Sequence, residues 1–485
     1  MQTARLVQTN VVHTLLTDTR KGAYLGTYDG LFITDFAIDS PGMHQRALGA
    51  YHLARVLEKK GVSSIVIDFF FSLRIDEIDC FFQKFISKNT KFIGLSTSYL
   101  FNRVSSTGYD TTFDDNTSLN YFFEKVRTCY PHIKIFQGGS NGLYPHPLVD
   151  VGMSGQYIES AFIKKLNELC NCKIDTHYEF TNDFFEFKKE DFILDKEPLP
   201  LEISRGCIFS CKFCSFSGRG KKINTAIKSN AAIENFLKTS YDRFKTTSFF
   251  LCDDTLNESV IKLENILRVT ELLNFKCTFA AYIRLDLLMV YPEMIGLLKN
   301  AGILGLTFGI ETFNFKAGVT IGKGSKPEKI KSFLIDLKMK HPEFYTSSAF
   351  IVGLPYENID SVYSTYDWLV KEQALDAWNF NALGIENRIQ TVDSSYFSKN
   401  IEKYGYKRKG NVGWARDDLN YEQAFEHAKY LNQLSAPYSG PSPWRLLGLT
   451  RKNRFEDIKN IKIPDLAKYA DFEKPNLYKK LIFES

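Results

Sequence analysis

Apolar positions in the first third of the chain fall into short unbroken runs separated by longer stretches with helical spacing. Leu31-Phe-Ile-Thr-Asp35 reads as a strand. After Pro41-Gly42, residues 45–60 carry Leu48, Tyr51, Leu53, Val56 and Leu57 at helical intervals, and Gly61 stops the pattern. Ser64 to Asp68 is strand-like, Ile75 to Ser87 helical, Lys91 to Ser96 strand-like, Ser118 to Tyr130 helical and Ile133 to Phe136 strand-like. Short apolar strands alternating with helices predict a doubly wound parallel sheet. Its ligands belong at the carboxyl ends of the strands, where Gln137-Gly138-Gly139-Ser140 lies. Paired glycines there let a backbone approach a ligand closely, or simply make a turn.

The rhythm breaks over residues 176–199, where charges and aromatics follow no period, and Pro198 and Pro200 bracket the entry to Leu201-Glu-Ile-Ser204. A linker is expected there. Beyond it, apolar strands at Ser248–Cys252, Phe275–Ile283, Leu304–Ile310, Ser348–Val352 and Trp378–Leu383 again alternate with helical stretches. With Leu201 to Ser204 they make six strands, whose functional residues belong at the strand ends. The resulting division is an extension over 1–27, an α/β domain over 28–175, the linker, a second α/β domain over 200–390 and a C-terminal region over 391–485. In that last region Tyr421 to Leu434 reads as an amphipathic helix. Tyr404-Gly-Tyr406, Asn411 to Asp418 and Pro441 to Arg445 set aromatics beside Arg and Asp, which suits a substrate lid or, the favoured reading, a hydrophobic cap.

Composition sharpens this picture in three ways. A length of 485 residues with 44% hydrophobic content accommodates about three domains, and the 41 phenylalanines are expected mostly in cores. Lys plus Arg exceeds Asp plus Glu by five, too small an excess to indicate nucleic acid. Apolar stretches such as Ile65 to Leu73 are interrupted by charges such as Asp68, so neither export nor membrane insertion is expected, and a cytoplasmic location is. Cys80, Cys129, Cys170, Cys172, Cys252 and Cys277 are scattered and are read as reduced thiols.

The other three cysteines stand apart. Cys207, Cys211 and Cys214 occupy eight residues at C-x3-C-x2-C spacing. A cubane iron–sulfur cluster normally takes four cysteinates, so three leave one iron open to the amino and carboxylate groups of S-adenosylmethionine. The competing readings are a zinc knot or core thiols. A tetrahedral zinc site wants a fourth ligand, and no Cys or His occurs in the thirty residues after Cys214.

The spacing, with Phe213 before the third cysteine and Arg205-Gly206 before the first, resembles the radical S-adenosylmethionine (SAM) superfamily. With an α/β domain ahead of it, the chain from about 28 to about 400 resembles that superfamily's cobalamin-dependent branch. The resemblance implies an N-terminal doubly wound Rossmann-like domain of the cobalamin-binding type, a central partial (β/α)6 barrel and a small, mainly α C-terminal region. Asp253-Asp254, Arg284-Leu-Asp286, Gly309-Ile-Glu311 and Gly353-Leu-Pro355 follow successive strands in the order of the family's landmarks. By that likeness Cys207, Cys211 and Cys214 hold a [4Fe-4S] cluster, with Phe213 beside it. Asp253 and Glu311 are expected on the amino or ribose groups of S-adenosylmethionine, Arg284 on its carboxylate, Asp254 among the same binding residues and Gly353 where the adenine needs room, with a structural ion-pair network as the alternative. Gly138 and Gly139 are expected to hold the cobalamin tail.

Two stretches depart from the branch. Asp150 to Glu159 replaces a Gly-Glu-Gly-Glu-like turn, and no Asp-x-His-x-x-Gly loop supplies a histidine to cobalt; the nearest candidate, His44, is read as a solvated helix-start residue. The basic residues Lys212, Arg219, Lys221 and Lys222 beside the cysteines are read as solvated loop charge, ahead of an anion-attracting patch. The implied activity is reductive cleavage of S-adenosylmethionine to a 5′-deoxyadenosyl radical, then C-methylation or rearrangement of a small molecule or modified nucleotide, with electrons from a donor such as flavodoxin or ferredoxin. The alternative is a scaffold protein with a structural metal site and a degenerate cobalamin domain.

Overall fold

The computed structural model describes residues 28–35, 45–97, 104–105, 108–109, 117–139, 145–155, 157–214, 218–222, 226–385, 394–410 and 413–484. His44 and residues 140–144 of the glycine turn lie outside these.

In the N-terminal part, strands β1 (Gly30–Ile33), β2 (Ser64–Ile67) and β3 (Phe92–Ser96) precede a two-residue antiparallel pair, β4 (Val104–Ser105) with β5 (Gly108–Tyr109). Strands β6 (Lys134–Gly138) and β7 (Val151–Gly152) follow, and the sheet runs β2-β1-β3-β6-β7, all parallel. The strands read as continuous apolar runs because both faces are covered. Helices Leu48–Glu58 and Ile158–Leu169 pack through Tyr51, Val56, Leu57, Phe162 and Leu166, whereas Ile75–Phe85 and Thr117–Cys129 contribute Phe81, Phe82, Phe85, Phe122 and Phe123 to a separate cluster. This order reverses direction between β1 and β3, which opens a crevice at their carboxyl ends.

The second sheet holds β8 (Leu199–Leu201), β9 (Ser248–Leu251), β10 (Thr278–Ile283), β11 (Ile303–Glu311), β12 (Tyr345–Val352) and β13 (Ala377–Ala382), all parallel and in chain order. Its first strand lies earlier than the sequence pattern predicts. Pro200 sits inside it, which an edge strand tolerates because one side of its backbone needs no ladder partner. Ser204 instead makes an isolated antiparallel bridge to Ile227.

One apolar cluster runs from Phe32, Phe92 and Phe136 of the first sheet through Phe185, Phe187 and Phe236 to Phe249, Phe308 and Phe350 of the second. The C-terminal region closes the molecule at two further places. Helix Pro443–Gly448 sets Leu446 and Leu447 against Ala280, Tyr345 and Ala377 of the second sheet. Helix Lys474–Glu484 returns to the N-terminal part, where Tyr478 and Ile482 pack with Phe69 and Phe70. There Arg46, wholly buried, forks onto Glu197 at 2.8 and 3.0 Å and donates to Tyr51 and two backbone carbonyls, while Lys474 also meets Glu197, at 2.7 Å. The short pair β14 (Lys407–Lys409) and β15 (Gly413–Ala415) precedes helix Tyr421–Ser435, which starts on an Asn420–Gln423 capping box. No helix among the described residues is long and apolar enough to cross a membrane.

Candidate functional site

The cysteine segment leaves β8 and is pinned on several sides. Gly206 takes a left-handed φ of 75°, which no residue with a side chain adopts cheaply. The Ile208 amide donates to Glu258 (2.7 Å), whose carboxylate also pairs with Lys221 (2.7 Å) and Lys262 (2.6 Å). Lys221 in turn donates to the carbonyls of Arg205 and Gly206, and Arg219 to the carbonyl of Ser394. Two members of the predicted solvated cluster therefore brace the loop. The three thiols are all partly exposed and are not gathered into a metal-ligating group; no such group occurs among the described residues. Cys207 Sγ lies 3.4 Å from the Thr255 hydroxyl and Cys211 Sγ accepts from Arg284 at 3.4 Å. Phe213 packs partly buried at the edge of the main core.

Two of the expected ligand-binding residues have partners within the protein. Asp253 is 1% exposed and turned inward, accepting from the Ile203 amide (3.0 Å) and the Ser204 hydroxyl, so it locks the exit of β8 and is not directed at a ligand; burial raises its pKa. The half-buried Asp254 follows it. Arg284, expected on a ligand carboxylate, forks onto Asp286 (2.9 and 2.5 Å), lies over the Phe209 ring at 3.8 Å and spends its remaining arm on Cys211. Its backbone is held on both sides by the Asn257 side chain. Arg284 thus belongs to the cysteine loop.

Glu311 ends β11 beyond a register shift that falls after Phe308, and its φ of 69° is left-handed. Bulges re-aim side chains, and strain of this kind collects at functional sites. Burial raises the Glu311 pKa while Lys323 and Arg284 oppose the rise. A methyl group on Gly309 would lie 2.9 Å from Lys323 Nζ and 3.1 Å from Glu311 Oε1, so this anion and cation flank the strand end, and a side chain there would push their flexible tips aside. Lys323 comes from a glycine-flanked turn whose Gly322 lies against Cys211: a Cβ there would be 3.7 Å from the Cys211 α-carbon. Sequence reading overlooked Lys323, although Gly322-Lys323-Gly324 was a usable signal.

Gly353 has a φ of 98°, and a Cβ would meet the Trp414 ring at 2.5 Å, so its missing side chain makes room for Trp414. Tyr406 donates to the Gly353 carbonyl (2.6 Å), Trp414 to Leu383 (2.7 Å), and Arg416 to Leu354 (2.9 Å) and Glu357 (3.0 Å). Trp414 and Tyr406 are 0% and 1% exposed, which makes this part of the C-terminal region a cap. Beneath it Glu357 accepts from the Thr312 hydroxyl (2.5 Å), its other oxygen has no partner among the described residues, and burial pushes its pKa up to about 7.

A cavity of about 410 Å³ opens where the two sheets face each other. Gly94 to Ser96 of β3, Gln137, Gly138, Gly139 and the start of helix Leu48–Glu58 line one side; Glu202, Arg205, Phe250 and Cys252 line the other. Among the described residues, a Cβ at Gly49 or Gly155 would meet nothing within 4 Å, and one at Gly138 only the Met153 carbonyl at 4.0 Å. His52 also borders it, but its Nε2 lies 2.9 Å from Tyr178 and 3.0 Å from Glu159, and its Nδ1 3.6 Å from Asp183. Burial raises the Glu159 carboxyl, yet the hydrogen bonds from His52 and Arg205 prevail and bring it down to about 2.

Residues 201–369 match the sequence profile of the Radical SAM superfamily. That superfamily works with a [4Fe-4S] cluster and S-adenosylmethionine. Among solved structures, the chain is similar to the cobalamin-dependent S-adenosylmethionine radical enzyme OxsB with aqua-cobalamin and S-adenosylmethionine bound, at 16% identity and TM-score 0.52, covering 78% of this chain and 56% of OxsB. It is also similar to the radical S-adenosylmethionine methyltransferase TsrM from Kitasatospora setae with cobalamin and a [4Fe-4S] cluster bound, at 14% identity and TM-score 0.53, covering 74% and 73%. At these identities the likeness is one of fold. The chain spans little more than half the length of OxsB. No curated protein matches it.

Proposed function

We propose, on the match of residues 201–369 to the Radical SAM superfamily profile, a cobalamin-dependent radical enzyme that C-methylates or rearranges a small molecule or modified nucleotide. We read residues 28–175 as the cobalamin-binding-type domain, 176–199 as its linker, 200–390 as the partial barrel and 391–485 as its cap. The observation that carries the proposal is the cavity, which lies between the carboxyl ends of the first sheet and the entry strands of the second, with Gly49, Gly138 and Gly155 open toward space a side chain would fill.

The residue types suit both groups, though the three thiols are not gathered around one point. Three thiols on one braced loop suit a cluster with one open iron, and Cys207, Cys211 and Cys214 would hold it. Gly138 and Gly139 would support a corrin tail. When bound, the cluster and S-adenosylmethionine supply reductive cleavage of a carbon–sulfur bond, and cobalamin supplies a methyl carrier. The chain's own residues bind and shield. Glu311 and Lys323, flanking Gly309, suit an ammonium and a carboxylate respectively, as the amino-acid end of S-adenosylmethionine presents. Trp414 and Tyr406 close the exit of β12 to water. Electrons would come from a small donor such as flavodoxin or ferredoxin, and an oxygen-sensitive cluster suits a reducing cytoplasm.

The test is anaerobic purification with cluster reconstitution and hydroxocobalamin. Expected are corrin absorption that survives desalting, and an electron paramagnetic resonance signal from the reduced cluster that changes on adding S-adenosylmethionine. Protein that retains no corrin removes cobalamin from the reading; an unresponsive cluster removes the radical step.

A further inference from the structure

Arg205 stands immediately before the cysteine segment and touches the N-terminal part of the molecule. Its guanidinium is double-forked. NH1 and NH2 reach Glu159 at 3.0 and 2.7 Å, while Nε and NH2 reach Glu202 at 2.8 and 3.0 Å. It is 6% exposed and lies 4.5 Å over the Phe180 ring. Glu159 belongs to the helix that roofs the cavity, and Glu202 to the end of β8; all three residues line that cavity. The backbone of the same arginine faces the other way, where its carbonyl and that of Gly206 hold Lys221, which pairs with the Glu258 that holds the Ile208 amide. A single residue therefore links the cavity wall to the cysteine loop, through two planar forks that resist rotation.

We infer that Arg205 is a positioning residue that fixes the N-terminal cavity in register with the cysteine loop, so that a group bound in one stays at a set separation and orientation from a cluster bound in the other. The inference rests on the cavity and cluster reading given above for what the two places hold, but the strut itself is a property of the chain. Neighbouring groups reinforce it: His52 joins Glu159 to Asp183, and Lys228 and Lys59 neutralise Asp183. An adjacent cavity of about 20 Å³, edged by His52, Asp183, Glu202 and Lys228, is large enough for one bridging water.

Two measurements on the full-length protein test it, with Arg205→Lys, which keeps the charge and loses both forks, and Glu159→Gln, which keeps the shape. In cluster-loaded, corrin-free protein, hydrogen exchange at the amides of 158–163 and of 205–212 should rise at least tenfold together in Arg205→Lys. After loading with hydroxocobalamin and reduction to cob(II)alamin, the pulsed-resonance distance distribution between cobalt and the reduced cluster should at least double in width in both variants. Exchange and distance width equal to wild type overturn the inference. A wild-type protein that takes up no corrin sinks the reading of the cavity instead, and the exchange comparison alone then decides the strut. Should Arg205→Lys fail to fold, Glu159→Gln is judged by the same two readouts.

Discussion

Lys323 Nζ and Glu311 Oε1 flank the α-carbon of Gly309 so closely that a single methyl group there would lie about 3 Å from each. The two side chains arrive from different elements, one from the end of β11 and one from the turn against the cysteine loop, and their opposite charges suit a zwitterion. Glu311→Gln and Lys323→Met should each weaken S-adenosylmethionine binding by about 1–3 kcal/mol, the penalty for stranding one charged partner, with cluster content unchanged. Titration calorimetry on reconstituted protein checks this; affinities equal to wild type would assign both residues to structure.

Arg284→Ala should behave differently. Because Arg284 Nη1 is on Cys211 and its fork on Asp286, the substitution should lower iron per chain on reconstitution before it lowers ligand affinity. Full iron content with weakened binding would return Arg284 to the ligand.

Cys207→Ala, Cys211→Ala and Cys214→Ala should each abolish formation of 5′-deoxyadenosine while leaving the fold intact, because none of the three is a fully buried core residue. Cys170→Ala and Cys172→Ala, far along the chain, should be close to silent. Product analysis by mass spectrometry decides, and a triple cysteine variant that still cleaves S-adenosylmethionine would refute the assignment.

Gly138→Leu should exclude corrin without unfolding the chain, since among the described residues a Cβ would meet only a carbonyl at 4.0 Å. The same change at Gly94 is uninformative, because the Phe32 ring lies 2.6 Å from a Cβ there. Corrin retention by Gly138→Leu equal to wild type would place the cofactor elsewhere.

The buried Glu357 carboxyl gives the fold a pH dependence of definite sign. Its folded pKa of about 7 is raised above the ordinary 4.5, so its stabilising contribution is complete below about pH 4.5, declines as pH rises and is gone above about pH 7. The difference amounts to about 3 kcal/mol at most. Glu357→Gln should flatten that slope and raise the melting temperature at pH 8; denaturant titrations at pH 5 and pH 8 with unchanged slopes would rule the group out.

Trp414→Ala should cost about 3–5 kcal/mol, the usual loss for a buried indole. Gly353→Ala should also destabilise, since it combines a φ of 98° with a 2.5 Å contact on that indole. Thermal melts read both; a neutral Gly353→Ala would show that the cap can shift.

What the sequence determined by itself was local. Continuous apolar runs such as Gly30–Ile33 and Phe92–Ser96 announce buried parallel strands, because a residue covered on both faces of a sheet has to be apolar whatever its neighbours are. Three cysteines in eight residues likewise share one loop whatever the tertiary fold. The first strand of the second sheet was misplaced because Pro200 argues against a strand until its edge position is known.

Only the tertiary structure decided which charged residues face a ligand and which face each other. Asp253 and Arg284 carry the expected identities at the expected strand ends, yet their partners, Ile203, Ser204, Asp286 and Cys211, turn them inward. Lys323 beside Glu311, Glu357 beside Thr312 and the Glu159–Arg205 fork join residues from different parts of the chain, and no short window of sequence records such a pairing. The return of Tyr478 to the Asp68 amide, at 2.6 Å and across the length of the chain, was equally invisible. A charge becomes a site or a strut according to its burial and the geometry of its partner, and both are set only when distant segments pack together.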